Sequence, residues 1–180
     1  DDAMSVLRTI SSWTLSVILL IFFVGCSHTP AVSVVGETYP YTKVVMFDGT
    51  VRALGEYKGK TVALLFWATW CSKSKRAVRH FNEFAREFAR RSDIVFLAAN
   101  IDDIGDAQKV QEEMKESKLD YLTHAFSGNA LADEAYETLN GECIPYFVLF
   151  DRNGRAALAT DDYDVAFEAL RSSGRRATRR

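Results

Sequence analysis

Apolar and polar positions along the chain change period several times, and each change marks an element. Residues 61–66 read TVALLF, a short run with almost no polar interruption, which predicts a central strand buried on both faces of a sheet. From 72 to 90 the spacing becomes helical, with Ala77, Val78, Phe81, Phe84, Ala85 and Phe88 on one face. Residues 93–101, DIVFLAANI, predict a second buried strand. Residues 106–118 predict a helix with Ala107, Val110 and Met114 inward and a charged outer face. A short strand is expected over 119–126 and a short helix over 129–139. Residues 146–150 predict a strand, Asn153 and Gly154 a turn, and 155–160 its hairpin partner. Asp161 caps a final helix that runs to Arg171. Upstream, segments 43–47 and 50–54 flank Asp48 and Gly49, a turn pair that predicts a β-hairpin.

Strands alternating with helices, then a closing hairpin and helix, predict an α/β domain over 43–173 with a central mixed β-sheet flanked by helices. Residues 27–42 contain Pro30, Gly36 and Pro40 without helical period and are expected to be a linker. Residues 174–180 form a basic tail. Residues 1–26 stand apart as a signal or anchor segment: 13–25 read WTLSVILLIFFVG, without a charge, and Arg8 precedes them. Two readings fit this segment. Phe23-Val24-Gly25-Cys26 resembles a bacterial lipobox, which makes Cys26 a lipid attachment site. Alternatively the run is an uncleaved membrane anchor. Either one ties the domain to a membrane.

Composition narrows the function classes. The 180-residue chain carries 22 Lys and Arg against 24 Asp and Glu, a formal net charge of −2, which argues against nucleic acid as a partner. Arg175, Arg176, Arg179 and Arg180 cluster at the end, as a solvated tail or as contacts to anionic headgroups. The three cysteines, Cys26, Cys71 and Cys143, are too few and too scattered for a disulfide framework or a metal cluster. His28, His80 and His124 are scattered too and read as surface or capping residues. No metal and no cofactor are expected.

The chemistry concentrates at 66–74, FWATWCSKS. Cys71 stands where the strand passes into the helix, so unpaired N–H groups and the helix dipole favour its thiolate. Lys73, Lys75 and Arg76 add positive charge nearby. Trp67 reads as a core aromatic and Trp70 as a site-rim one.

This segment resembles the W-C-x-x-C active-site motif of the thioredoxin superfamily, with Ser74 in place of the second cysteine. The phrase GKTVALLFWATWC and the leading hairpin resemble the membrane-tethered TlpA/ResA group and its thylakoid relatives. A second motif, Glu142-Cys143-Ile144-Pro145-Tyr146-Phe147 with Asp151 and Gly154 following, resembles the family's I-P-x-F segment. The resemblance covers roughly residues 41–171 and implies a thioredoxin-like fold in which Pro145 is cis and lies against Cys71. It also implies a groove, with Trp70, Ser74 and Ile144 at its edge, where an extended partner segment pairs with backbone beside Pro145.

Three departures bear on activity. Ser74 cannot resolve a mixed disulfide. Leu65 and Ala77 occupy positions where relatives carry a buried Asp or a Glu for proton transfer. Cys143, two residues before Pro145, is either a substitute resolving thiol or a small turn residue. Ala68, where peroxiredoxins place Thr or Ser, speaks against a peroxidase. Two functions follow: a membrane-anchored monothiol exchange protein using Cys71, or a redox-inactive accessory subunit or assembly factor of a membrane complex. Both expect a protein partner at the Cys71/Pro145 groove. Both place the domain in the periplasm, thylakoid lumen or mitochondrial intermembrane space.

Overall fold

The computed structural model describes residues 34–177, with side chains through Ser172. The apolar run, Trp13 and Cys26 included, lies outside these residues. Among the described residues no helix is long and apolar enough to cross a membrane.

The central strand β3 (Thr61–Trp67) shows why its sequence is apolar throughout. Alternate side chains point to opposite faces, and both faces are covered. Val62, Leu64 and Phe66 pack on one side, with α3 (Glu134–Thr138), β1 (Lys43–Val45) and the loop carrying Leu54. Ala63, Leu65 and Trp67 pack on the other, against α1 (Ser72–Glu87), α2 (Ala107–Glu116) and α4 (Tyr163–Ala177). The inward faces of α1 and α4 meet through aromatic rings, with Phe81 and Phe84 stacked on Phe167.

The sheet order is β5-β4-β3-β6-β7. Strands β3, β4 (Ile94–Asn100) and β5 (Thr123–Phe126) are parallel; β6 (Tyr146–Phe150) pairs antiparallel with β3, and β7 (Ala156–Thr160) pairs antiparallel with β6. The pairing Phe66↔Tyr146 carries the start of β6 to the same sheet edge as the end of β3. This register brings the two sequence motifs together. Separately, β1 pairs antiparallel with β2 (Val51–Ala53), and Gly49 takes a positive φ of 82° in the turn between them.

Several elements depart from the periodicity. Residues 119–122, expected in a strand, form a loop because Asn82 of α1 grips it: Nδ2 donates to Lys118 O and Oδ1 accepts from Tyr121 N–H. The helix expected over 129–139 is broken. Ala130 adopts φ 52°, and extended Asp133 restarts the chain by capping α3, accepting from Tyr136 N–H at 2.9 Å. The last helix continues past Arg171 to Ala177. Residues 34–42, expected within a linker, join the domain. Val34 is fully buried, and Gly36 and Glu37 exchange backbone hydrogen bonds with Ala156.

Candidate functional site

A four-residue turn links β3 to α1, closed by Cys71 N–H donating to Ala68 O at 3.3 Å. Cys71 is the N-cap of α1, with extended backbone (φ −102°, ψ 108°), and its sulfur accepts from Ser74 N–H at 3.4 Å. An unpaired helix-terminal donor is thereby spent on the thiol. Cys71 Sγ also lies 3.8 Å from the carbonyl oxygen of Ile144, to which the protonated thiol is placed to donate. The Ile144–Pro145 bond is cis. Cys71 and Ile144 are half-buried, and Trp70 is 57% exposed.

Ser74 is fully buried, and its hydroxyl oxygen accepts from Ala68 N–H at 3.4 Å. Burial alone pushes the Cys71 thiol up. The Ser74 hydroxyl, the N–H groups of Ser74 and Lys73, and the Lys73 charge outweigh it and hold the thiol below its ordinary range. Of the three cations expected to help, Lys75 is turned away. It pairs with Glu113 of α2 at 3.0 Å, beside Arg79 at 2.6 Å. Burial pushes Glu113 up, but hydrogen bonds from Arg79, Ser117 and Lys75 prevail and bring it down to about 2.

Cys143 is exposed and forms no disulfide with Cys71; both thiols are free. Burial of part of its side chain, then the charge and hydrogen bond of Asp161, push the Cys143 thiol up. Lys73 lowers both thiols, but their other surroundings drive them in opposite directions. The backbone of Cys143 is fixed by Tyr136, whose hydroxyl donates to its carbonyl at 3.2 Å. Leu65 and Ala77, the two positions without a carboxylate, are buried in the apolar layer against α1. His124 is half-buried. Its Nε2 lies 2.8 Å from the backbone oxygen of Leu119, and burial lowers its pKa.

The sequence reading missed Asp102. This carboxylate is fully buried just after β4. It accepts from Thr69 N–H (2.8 Å), Thr69 Oγ1–H (2.7 Å) and Asn100 Nδ2–H (2.7 Å). A polar N-x-D at the end of an otherwise apolar strand was the available signal.

A helix-capping thiol set against the carbonyl before a proline, at the edge of a mixed five-stranded sheet, defines a thioredoxin-type thiol site. The chain belongs to the thioredoxin-like family, whose pattern matches residues 59–156. It is similar to the thiol-disulfide oxidoreductase ResA of Geobacillus kaustophilus, 33% identical over 67 residues, covering 37% of this chain and 38% of that protein. It is 26% identical over 122 residues to ResA of Bacillus thuringiensis, covering 67% of this chain and 66% of the relative. The chain therefore spans less than two thirds of the length of these relatives. Among solved structures it resembles a putative thiol:disulfide interchange protein DsbE from Chlorobium tepidum, with TM-score 0.63 and 22% identity over 76% of this chain and 92% of that one. A putative protein disulfide isomerase from Bacteroides thetaiotaomicron gives TM-score 0.64 and 21% identity over 76% and 84%. At these identities the structures speak for the fold.

Proposed function

We propose that this protein performs monothiol thiol–disulfide exchange through Cys71 while attached to a membrane. The observation that carries the reading is the Cys71 sulfur at the N-terminus of α1, met by Ser74 N–H and facing the Ile144 carbonyl. The Cys71 thiolate attacks a partner disulfide R–S–S–R′. One S–S bond breaks, R′S⁻ leaves, and Cys71–S–S–R forms. Ser74 cannot complete the cycle, because its oxygen forms no disulfide. An external thiolate then attacks the partner's sulfur and releases Cys71 with a new disulfide on R. The electron balance closes without a further oxidant. Cys143 is a poorer resolving group here, because its raised pKa keeps it protonated at neutral pH.

A second reading rests on a specific observation. Ser74 is fully buried and both proton-transfer positions are apolar, so the site also suits a redox-inactive accessory subunit or assembly factor whose groove binds an extended segment. An aromatic disulfide such as dithionitrobenzoate separates the two. Stoichiometric mixed-disulfide formation at Cys71 near neutral pH, lost in Cys71→Ser, supports exchange. A Cys71 that stays unreacted in the folded protein supports the binding role.

The uncharged run at 13–25 supports attachment to a membrane, with the domain in the periplasm, thylakoid lumen or intermembrane space, where partner disulfides persist. Intact mass of the membrane-extracted protein tests the anchor. A start at acylated Cys26 identifies a lipoprotein, and retention of residues 13–25 identifies a hydrophobic span. Release of full-length protein by a carbonate wash rules out both.

A further inference from the structure

We propose that Asp102 is a positioning residue for Cys71: its buried carboxylate fixes the turn that delivers the sulfur to the helix N-terminus and the Ile144 carbonyl. The inference rests on the reading of Cys71 as the reacting thiol.

The geometry is specific. Asp102 follows β4, whose last residue Asn100 pairs with Trp67, the last of β3. Ile101 N–H donates to Trp67 O at 2.9 Å, locking the ends of β3 and β4 side by side. Asp102 then takes both polar groups of Thr69, its N–H and its hydroxyl, within the Ala68–Cys71 turn. Asn100 supplies a third donor and accepts in return from Asp102 N–H at 2.9 Å. The neighbouring Ala68 N–H is held by Ser74 Oγ. Successive N–H groups of the turn are thus tied to α1 and to the end of β4, and the next free bond carries Trp70 and Cys71.

A fully buried carboxylate bonded only to neutral donors is costly, and an apolar residue would serve packing better. What the carboxylate does that an apolar residue could not is accept from both Thr69 donors at once. Without it the Thr69 N–H is orphaned in a buried place, and the turn has a reason to rearrange. A rearranged turn moves Cys71 off the α1 terminus and weakens the stabilisation of its thiolate.

The test is the pH midpoint of iodoacetamide alkylation at Cys71, read peptide by peptide by mass spectrometry on the full chain. Asp102→Asn replaces one acceptor with a donor facing a donor. Thr69→Val removes only the hydroxyl bond and changes no charge, and Thr69→Ser keeps that bond. Both Asp102→Asn and Thr69→Val are expected to raise the midpoint by roughly half a unit, the scale of one helix-terminus contribution. Thr69→Ser is expected to match the wild type. Leu170→Ala, buried on α4 beside Ala63 at the far end of β3, controls for general destabilisation and should leave the midpoint in place. A downward shift in Asp102→Asn would show that removing negative charge is all that matters, and would overturn the proposal. So would an unmoved midpoint in Thr69→Val, which decides alone if Asp102→Asn does not fold. Failure of the exchange reading looks different: no mixed disulfide forms with wild-type Cys71, while the midpoint shifts persist.

Discussion

Ser74 stands three residues after Cys71 and offers its backbone N–H to the Cys71 sulfur at 3.4 Å, while its own side chain is sealed from solvent. The residue that removes the second thiol therefore supports the first. Its hydroxyl, with the adjacent N–H groups, holds Cys71 low against the upward push of burial. The site keeps a stabilised thiol at the helix N-terminus and carries a buried hydroxyl three residues later.

Insulin reduction should consequently be slow with the wild-type protein, and Ser74→Cys should raise it, because a second sulfur then sits at the site of the buried hydroxyl. Robust wild-type turnover that survives Cys143→Ser would contradict the monothiol scheme.

Cys71 and Cys143 should part company on a pH titration of alkylation. The Cys71 thiol lies below the ordinary cysteine range and the Cys143 thiol above it, so Cys71 should reach its plateau rate at lower pH in the same sample. Ser74→Ala should move Cys71 upward and leave Cys143 unmoved. Coincident curves for the two thiols would remove the basis for assigning them different roles.

Acid stability should depend on Glu113. Its carboxyl is held at about 2, below the ordinary 4.5, so the folded state binds its proton less readily than the unfolded chain. For a depressed carboxyl, the stabilisation is complete above the unfolded value and is lost as pH falls through the folded one. Glu113→Gln should therefore weaken the protein at neutral pH and flatten its stability loss between about 4.5 and about 2. Chemical denaturation at a series of pH values reads this directly; parallel curves for the two proteins would refute it.

Gly141 should tolerate no side chain. A Cβ there would come within 2.1 Å of the Tyr136 ring, and Tyr136 secures the Cys143 carbonyl just before the Ile144–Pro145 bond. Gly141→Ala should cost about 1–3 kcal/mol, the usual range for overpacking, and should also slow mixed-disulfide formation at Cys71. Unchanged stability and rate would show that Tyr136 moves freely and does not support the site.

Phe81 should be among the costliest core positions. Its ring is fully buried and meets Phe96, Phe147 and Phe167, so it joins α1, the sheet and α4. Phe81→Ala should lower the unfolding free energy by about 3–5 kcal/mol, measured by denaturant titration. A loss under about 1 kcal/mol would mean that the layer repacks around the gap.

Local pattern alone determined much of this protein. The apolar run at 61–66 and the helical spacing after Cys71 reflect burial on two faces and on one face, and burial is written in residue type. The motifs around Cys71 and Pro145 pointed to the thioredoxin-like family for the same reason: their residues serve the backbone geometry in which they sit. Tertiary structure decided the rest, through contacts between segments far apart in the chain. Asn82 turned an expected strand at 119–122 into a loop, because two hydrogen bonds from another helix outweighed its apolar pattern. Lys75 looked like a partner for Cys71 until Glu113 of α2 claimed it. Thr69 and Asp102 stand 33 positions apart and meet only because β3 and β4 pair in parallel register. A hydrogen bond between distant residues leaves no periodic trace in the sequence, so the support beneath Cys71 became visible only when the strands were aligned.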